Sequence, residues 1–226
     1  MFETWEAQKR IVEAKRITMR VVDHIQYLLD IHENNVIVLY SDTLSKQIPK
    51  SYAANAFNIF REAMHQIEVV RICALWDQPS LDRESILTVI ELIDDQKVID
   101  VLADQARAGH PGEFGQLRAE RAGAGLRGAI KNAREQRSSE RLKSIRNLRD
   151  KHIAHYLGET MEEKTGAVEP MKVGDERVVL DASIPIVEAL NSWVNNVALP
   201  LKEAQAIDRK CAEALWQACT FKIAAG

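Results

Sequence analysis

The chain has 226 residues, 46% hydrophobic and 28% charged, which is the composition of one globular domain and excludes a disordered segment. Aromatics at 6% are low for a β-sandwich or barrel, no run of about 18 apolar residues could cross a membrane, and the start, MFETWEAQKR, has no signal-peptide core. The net charge of −3 is uneven: residues 107–152 hold twelve Lys/Arg against five Asp/Glu, +7, leaving −10 for the rest. Such a segment offers a place for a polyanion, or else is a solvated basic helix facing acidic neighbours.

The periodicity is helical almost throughout. Residues 3–31 predict a charged amphipathic helix carrying Trp5, Ile11, Ile17, Val21, Ile25 and Leu28. Val36–Tyr40 fits a strand or a helix, and helix is preferred because no partner strand is evident. Residues 53–74 predict a helix with an apolar seam at Ala53, Phe57, Phe60, Met64, Ile67, Arg71 and Ala74, with Pro49 and a cap at Ser51 before it and Pro79 after it. Two shorter helices are expected near 83–92 and 95–105. A basic helical region follows from about Phe114 to Leu157, with an interruption near 123–128 or a recapping at Ser139, and Gly158 as its C-cap. Residues 159–180 read as a long, mobile connector. The last helix is expected to start at Asp181 or Ser183, with Pro185 in its first turn and a kink or break at Pro200. Its stripe runs Ile184, Val187, Leu190, Val194, Val197, Leu201, Ala204 and Ile207, and continues through Cys211, Leu215 and Cys219.

The prediction is therefore an all-α, up-down antiparallel bundle. Residues 1–50 form a long helical extension packed on the core, and residues 51–226 form the bundle. Cys73, Cys211 and Cys219 are too few and scattered for a disulfide framework or zinc knuckle. They read as core residues in a reducing, cytoplasmic setting.

Three motifs are weighed for chemistry. Gly123-Ala124-Gly125-Leu126-Arg127-Gly128 has the letters of a dinucleotide fingerprint but lacks the strand that the motif needs. Close helix approach or a helix interruption explains it better. Glu62-Ala63-Met64-His65 is a Glu-x-x-His without the second copy a diiron bundle requires, so His65 reads as a bundle histidine. No metal or cofactor is expected.

The third motif is Arg146-Asn147-Leu148-Arg149-Asp150-Lys151-His152-Ile153-Ala154-His155-Tyr156. On an ideal helix Arg146, Arg149, His152 and His155 each lag the last by about 60°. Arg149 and His155 then stand about 120° apart, so a bend or a second subunit must bring them together. Arginine presents a fork of donors to phosphate, and histidine moves protons near neutral pH. Together they suit RNA cleavage by attack of the ribose 2′-hydroxyl on its own phosphate, which needs no metal. The plainer alternative is that cations simply gather at the negative end of a helix dipole.

These residues resemble the HEPN superfamily, whose signature is Arg, a polar residue, and His after four to six intervening positions. Arg149-Asp150…His155 and Arg146-Asn147…His152 both satisfy it, and the first looks like the AbiU-type (abortive-infection) form. Leu75-Trp76-Asp77, at the end of the 55–77 helix, and the stretch 173–197 add to a resemblance spanning about Tyr52 to Ala204. The resemblance implies a metal-independent ribonuclease or toxin in phage defence, acting on RNA as a two-fold homodimer with a composite cleft, with an antitoxin protein as a further candidate partner. It implies Arg149 on the scissile phosphate, Asp150 as the orienting group and His155 as the proton-transfer residue. Arg146, Asn147, His152, Lys151 and Tyr156 would be supporting or alternative members. Arg134, Arg137, Arg141 and Lys143 would contact the nucleic acid. Tyr156 follows His155 directly, whereas some toxin subfamilies carry their Tyr two residues after the His. Other HEPN domains bind nucleic acid or a partner without cleaving.

Overall fold

The computed structural model describes residue 2 and residues 4–48, 52–155 and 157–221, the side chains at 42, 43 and 45 excepted. All regular structure among the described residues is helical. The helices are α1 (Ala7–Tyr40), α2 (Asp42–Gln47), α3 (Tyr52–Leu75), α4 (Ile86–Ile93), α5 (Gln96–Arg107), α6 (Gly112–Arg137), α7 (Glu140–Leu148), α8 (Met161–Thr165), α9 (Asp175–Val194) and α10 (Leu201–Ala218), with a π-turn at Arg149–Ile153 after α7.

Helix α1 is the spine. Its 34 residues absorb Val36–Tyr40 and span about 50 Å at 1.5 Å per residue. Ile11, Ala14, Ile17, Val21, Ile25, Leu28 and Leu29 recur at helical spacing and are fully buried. Around it pack α3, α4, α5, α9 and α10. Enclosure on several sides leaves polar residues of α1 inside. The Arg10 guanidinium, 4% exposed, donates to the Leu92 and Glu91 carbonyls at the end of α4 and to Asp95, so a cation caps the negative end of that helix. His32 Nδ1 lies 2.6 Å from Glu68 Oε1, and Asn35 Nδ2 donates to Glu68 Oε2 at 2.5 Å. Glu33 accepts from Gln205 and Arg209 of α10. Tyr40 donates its hydroxyl to Glu176 of α9 at 2.7 Å.

Local signals explain most of the boundaries. Ser85 caps α4 by accepting from the Thr88 N–H, Asp95 caps α5 through Lys97 and Val98, and Ser139 caps α7 through Leu142. Pro200 marks the break between α9 and α10. Helix α6 runs unbroken through Gly123–Gly128. A Cβ on Gly125 would lie 2.2 Å from Trp193 Nε1, so close approach of α6 to α9, rather than an interruption, accounts for that glycine.

Several expectations are corrected. The basic helix does not run to Leu157 with a cap at Gly158: it ends at Leu148, and a π-turn carries the chain to Ile153. The connector contains α8 and the start of α9. Gly174, at φ +93°, turns the chain into α9 six residues before Asp181. Pro185 therefore stands inside α9, on its exposed side, rather than in its first turn.

The apolar seam of α3 is not the buried one. Glu68, Val69, Ile72, Cys73 and Leu75 face the core, while Phe60 and Ile67 are exposed and Phe57 and Met64 half-buried. Helix α3 carries two apolar stripes, and α1 covers the other one. On α10, Ile207, Cys211 and Leu215 are likewise exposed, because this helix meets α1 through Gln205, Arg209 and Trp216, which are bonded to Glu33 and Asn34. Cys73 alone of the three cysteines is buried. The cap expected at Ser51, with Pro49 before it, lies outside the described residues.

Two measurements test this packing. Gly125→Ala should destabilise the fold by about 1–3 kcal/mol through overpacking against Trp193. In a Trp193→Ala background the same change should stabilise by about 0.5–1 kcal/mol, the helix-propensity gain of Ala over Gly; denaturant unfolding of the two pairs reads the sign. Burial pushes the His32 pKa down, but the Glu68 hydrogen bond and the charges of Glu68, Glu33 and Glu176 more than offset it, so the folded value lies above 6.5. A raised histidine stabilises fully below its unfolded pKa, and that contribution is lost as pH rises through the folded value. The melting temperature should fall over that window, and His32→Gln should flatten the decline.

Candidate functional site

Helix α7 delivers the Arg/His segment to the C-terminal end of α3. Leu142 and Ile145 anchor α7 in the core, which leaves Arg146 and Arg149 beside Cys73, Trp76 and Asp77. Arg146 Nη2 donates to the Trp76 carbonyl at 2.5 Å, and Trp76 is itself fixed by donation from Nε1 to Ser183 Oγ at 2.9 Å. Burial lowers the Arg146 pKa, with the charges of Arg149 and Arg137 acting the same way and that of Glu162 opposing. Burial raises the Cys73 thiol to about 12, although both arginines pull it down. That thiol is a neutral floor, not a nucleophile.

The π-turn begins at Arg149. The Ala154 N–H bonds to the Arg149 carbonyl at 2.8 Å, an i→i+5 closure, and single π-turns of this kind recur at functional sites. Arg149 is half-buried and places Nε and Nη2 on Asp150 Oδ1, both at 2.7 Å. Burial alone would lower its pKa, but the Asp150 hydrogen bond and the charges of Asp150 and Asp77 raise it above the ordinary value. Asp150 is thus in contact with the guanidinium it was expected to orient. His152 and His155 are both exposed, His152 within the turn and His155 beyond it. Tyr156 lies outside the described residues.

Asn147 and Lys151 do a different job. Asn147 is buried; its Nδ2 donates to Glu163 Oε1 at 3.0 Å and its Oδ1 accepts from Thr160 Oγ1 at 2.5 Å. Lys151 Nζ donates to both Glu163 oxygens, at 2.8 and 3.0 Å. Thr160 and Glu163 also form the reciprocal capping box of α8. The Lys151, Asn147 and Thr160 hydrogen bonds hold the Glu163 carboxyl down at about 2. Beside it stands Glu162, whose Oε2 is buried without a hydrogen-bond partner. Burial and Asp150 raise the Glu162 pKa against the pull of Arg146, Lys143 and Arg149. The mixed charge and glycines of 159–180 mask both glutamates in the sequence, although Thr160-x-x-Glu163 carries the capping-box letters.

The outlying cations divide into two groups. Arg137, which donates to Gln78 Oε1 at 2.8 Å, and Lys143 lie close enough to act electrostatically on Arg146 and Glu162. Arg134 is paired with Asp94, and Arg141 with Asp175 at 3.4 Å. Among the described residues no cluster of His, Cys, Asp and Glu is placed to hold a metal ion, and no helix is long and apolar enough to cross a membrane.

A family model for AbiU2, of the HEPN group, matches residues 11–215. The chain belongs to the AbiU2 family of HEPN proteins. The match reaches well beyond the stretch from Tyr52 to Ala204 and takes in most of α1. No curated protein and no solved structure matches the chain. Within this AbiU2 chain, the Leu75-Trp76-Asp77 segment meets the motif directly, through the Trp76 carbonyl on Arg146.

The contacts of Glu163 predict a local effect. Glu163→Ala should increase amide hydrogen exchange across 160–165 by about tenfold or more, because the segment loses its cap and its bonds to Asn147 and Lys151. The buried amides of α1 should exchange as before, as read by mass spectrometry.

Proposed function

We propose that this AbiU2 chain is a metal-independent endoribonuclease of the abortive-infection or toxin type, working as a two-fold dimer. The observation that carries the reading is the half-buried Arg149–Asp150 pair opening the turn that leads to the exposed His152 and His155. Arg149 holds the scissile phosphate, with Asp150 fixing its direction. The ribose 2′-oxygen attacks phosphorus and gives its proton to a base, the bond from phosphorus to the 5′-oxygen breaks, and that oxygen takes up a proton. The products are a 2′,3′-cyclic phosphate and a 5′-hydroxyl. His155 is the proton-transfer group, and Arg146, Asn147, Lys151, His152 and Tyr156 support it. Asn147 and Lys151 do so by holding α8 beside the turn. Arg137 and Lys143 extend the basic surface along the RNA more directly than Arg134 and Arg141, which have acidic partners of their own.

The dimer reading draws support from the outer stripe of α3. Ile59, Phe60, Ile67 and Val70 are exposed on a helix that packs against the π-turn, and a second copy covering them would bring two motifs together. A binding-only module is the second reading, favoured by the engagement of Arg149 with Asp150 and of Arg146 with a carbonyl. An antitoxin protein could occupy the same exposed stripe.

Purified protein in EDTA should cleave mixed RNA to cyclic-phosphate ends. His155→Ala and Arg149→Ala should each slow cleavage by about 100-fold or more. If Arg149 of one protomer works with His155 of its partner, mixing the two inactive variants should restore roughly a quarter of the activity, because half the dimers are mixed and each has one intact site. Cleavage that persists in both variants or requires a divalent ion would overturn the mechanism. Salt-sensitive RNA binding without turnover would establish the second reading.

A further inference from the structure

A cavity of about 250 Å³ opens between the end of α1, the middle of α3, Leu148 and the approach to α9. It lies outside the Arg/His site: Leu148, in its wall, is the residue before Arg149, and Arg149 does not line it. Arg61, His65 and Lys172 converge on it, while Leu148, Met171 and the ring of Tyr40 supply its apolar surface. No carboxylate lines it among the described residues. Two acids at the start of α9 are already engaged: Glu176 accepts from the Tyr40 hydroxyl and the Gly174 N–H, and Asp175 accepts from the Lys172 N–H and pairs with Arg141.

The Arg61 guanidinium is held but not satisfied. Its Nη2 donates to the Leu39 carbonyl at 2.9 Å, yet its Nε is buried with no acceptor. Native interiors rarely leave a charged donor in that condition, and such a group calls for a partner. A guanidinium, an ammonium and an imidazole together exceed what one carboxylate would neutralise. They match a phosphate dianion, which guanidinium and ammonium groups bind through short, charge-assisted hydrogen bonds. The apolar wall asks for a body attached to that phosphate. The volume falls just below the roughly 300–1,000 Å³ of ordinary ligand pockets, so the body is about the size of a single ring.

We infer that this cavity binds a small phosphate monoester, with the phosphate on Arg61, Lys172 and His65 and a ring-sized apolar body against Tyr40, Leu148 and Met171. The site is separate from the proposed ribonuclease centre and does not depend on it.

Phenyl phosphate is the probe, titrated calorimetrically into the full chain. Saturable one-site binding is expected, with inorganic phosphate about tenfold weaker for want of the ring and benzoate about tenfold weaker for want of the second charge. Arg61→Gln and Lys172→Glu should each weaken phenyl phosphate by about tenfold or more. Lys172 is exposed, so its variant keeps the fold even if loss of the Arg61–Leu39 bond unsettles the other. Arg149→Ala should bind like the parent, which separates this site from the motif. The inference is overturned if phenyl phosphate does not bind, if Lys172→Glu binds it unchanged, if benzoate binds equally well, or if Arg149→Ala abolishes binding.

Discussion

A helix enclosed by five others has little outer face on which to leave its polar residues. That constraint on α1 organises the molecule. Arg10 is accommodated by the carbonyl end of α4, His32 and Asn35 by one carboxylate on α3, and Glu33 by the amide and guanidinium of α10. Each pairing joins residues far apart in sequence, and each would be expensive to leave half made, because a buried charge without its partner costs more than the pair contributes. Apolar burial provides the bulk of the driving force, and these polar pairings help select one arrangement of α3, α4 and α10 around the spine.

The same arrangement sets the chemistry of the motif. The buried stripe of α3 ends at Cys73, Leu75 and Trp76, and α7 packs its own apolar side against α3 and α9. The cationic side of α7 therefore arrives over a carbonyl and a thiol that stays protonated. Arg146 and Arg149 sit near each other with unequal surroundings: one is committed to a backbone oxygen, the other to a neighbouring carboxylate at the lip of the site. The overlapping Arg–His spacings look equivalent as letters. Burial and partners distinguish them.

Much of this was legible from residue types and their spacing. The all-α class, the helical reading of Val36–Tyr40, the cap at Ser139 and the break at Pro200 were all within reach of residue types and their spacing. What escaped depends on contacts between distant residues. Two stripes of α3 are apolar, and only the position of α1 decides that Val69, Ile72 and Cys73 go inside while Phe60 and Ile67 do not. Cys211 and Leu215 continue an apolar period that α10 does not bury, because its contact with α1 is made by Gln205, Arg209 and Trp216. Pro185 was misplaced because a left-handed Gly174 starts α9 earlier than any cap near it suggested. Within the site, the Arg149–Asp150–His155 spacing was visible, but the π-turn was not, since i→i+5 closure leaves no mark in composition. Glu162 and Glu163 were hidden by the mixed charge and glycines around them.

The bonds from Asn147 to Thr160 and Glu163 have a topological effect. They join the two ends of the chain segment that holds Arg149, His152 and His155, turning it into a closed loop fastened at its neck. The entropy of bringing those ends together is lost when the protein folds, not when a ligand arrives. Any ligand taken up on this face would meet a loop whose anchorage has already been settled, and its binding free energy would be correspondingly less eroded by ordering the protein.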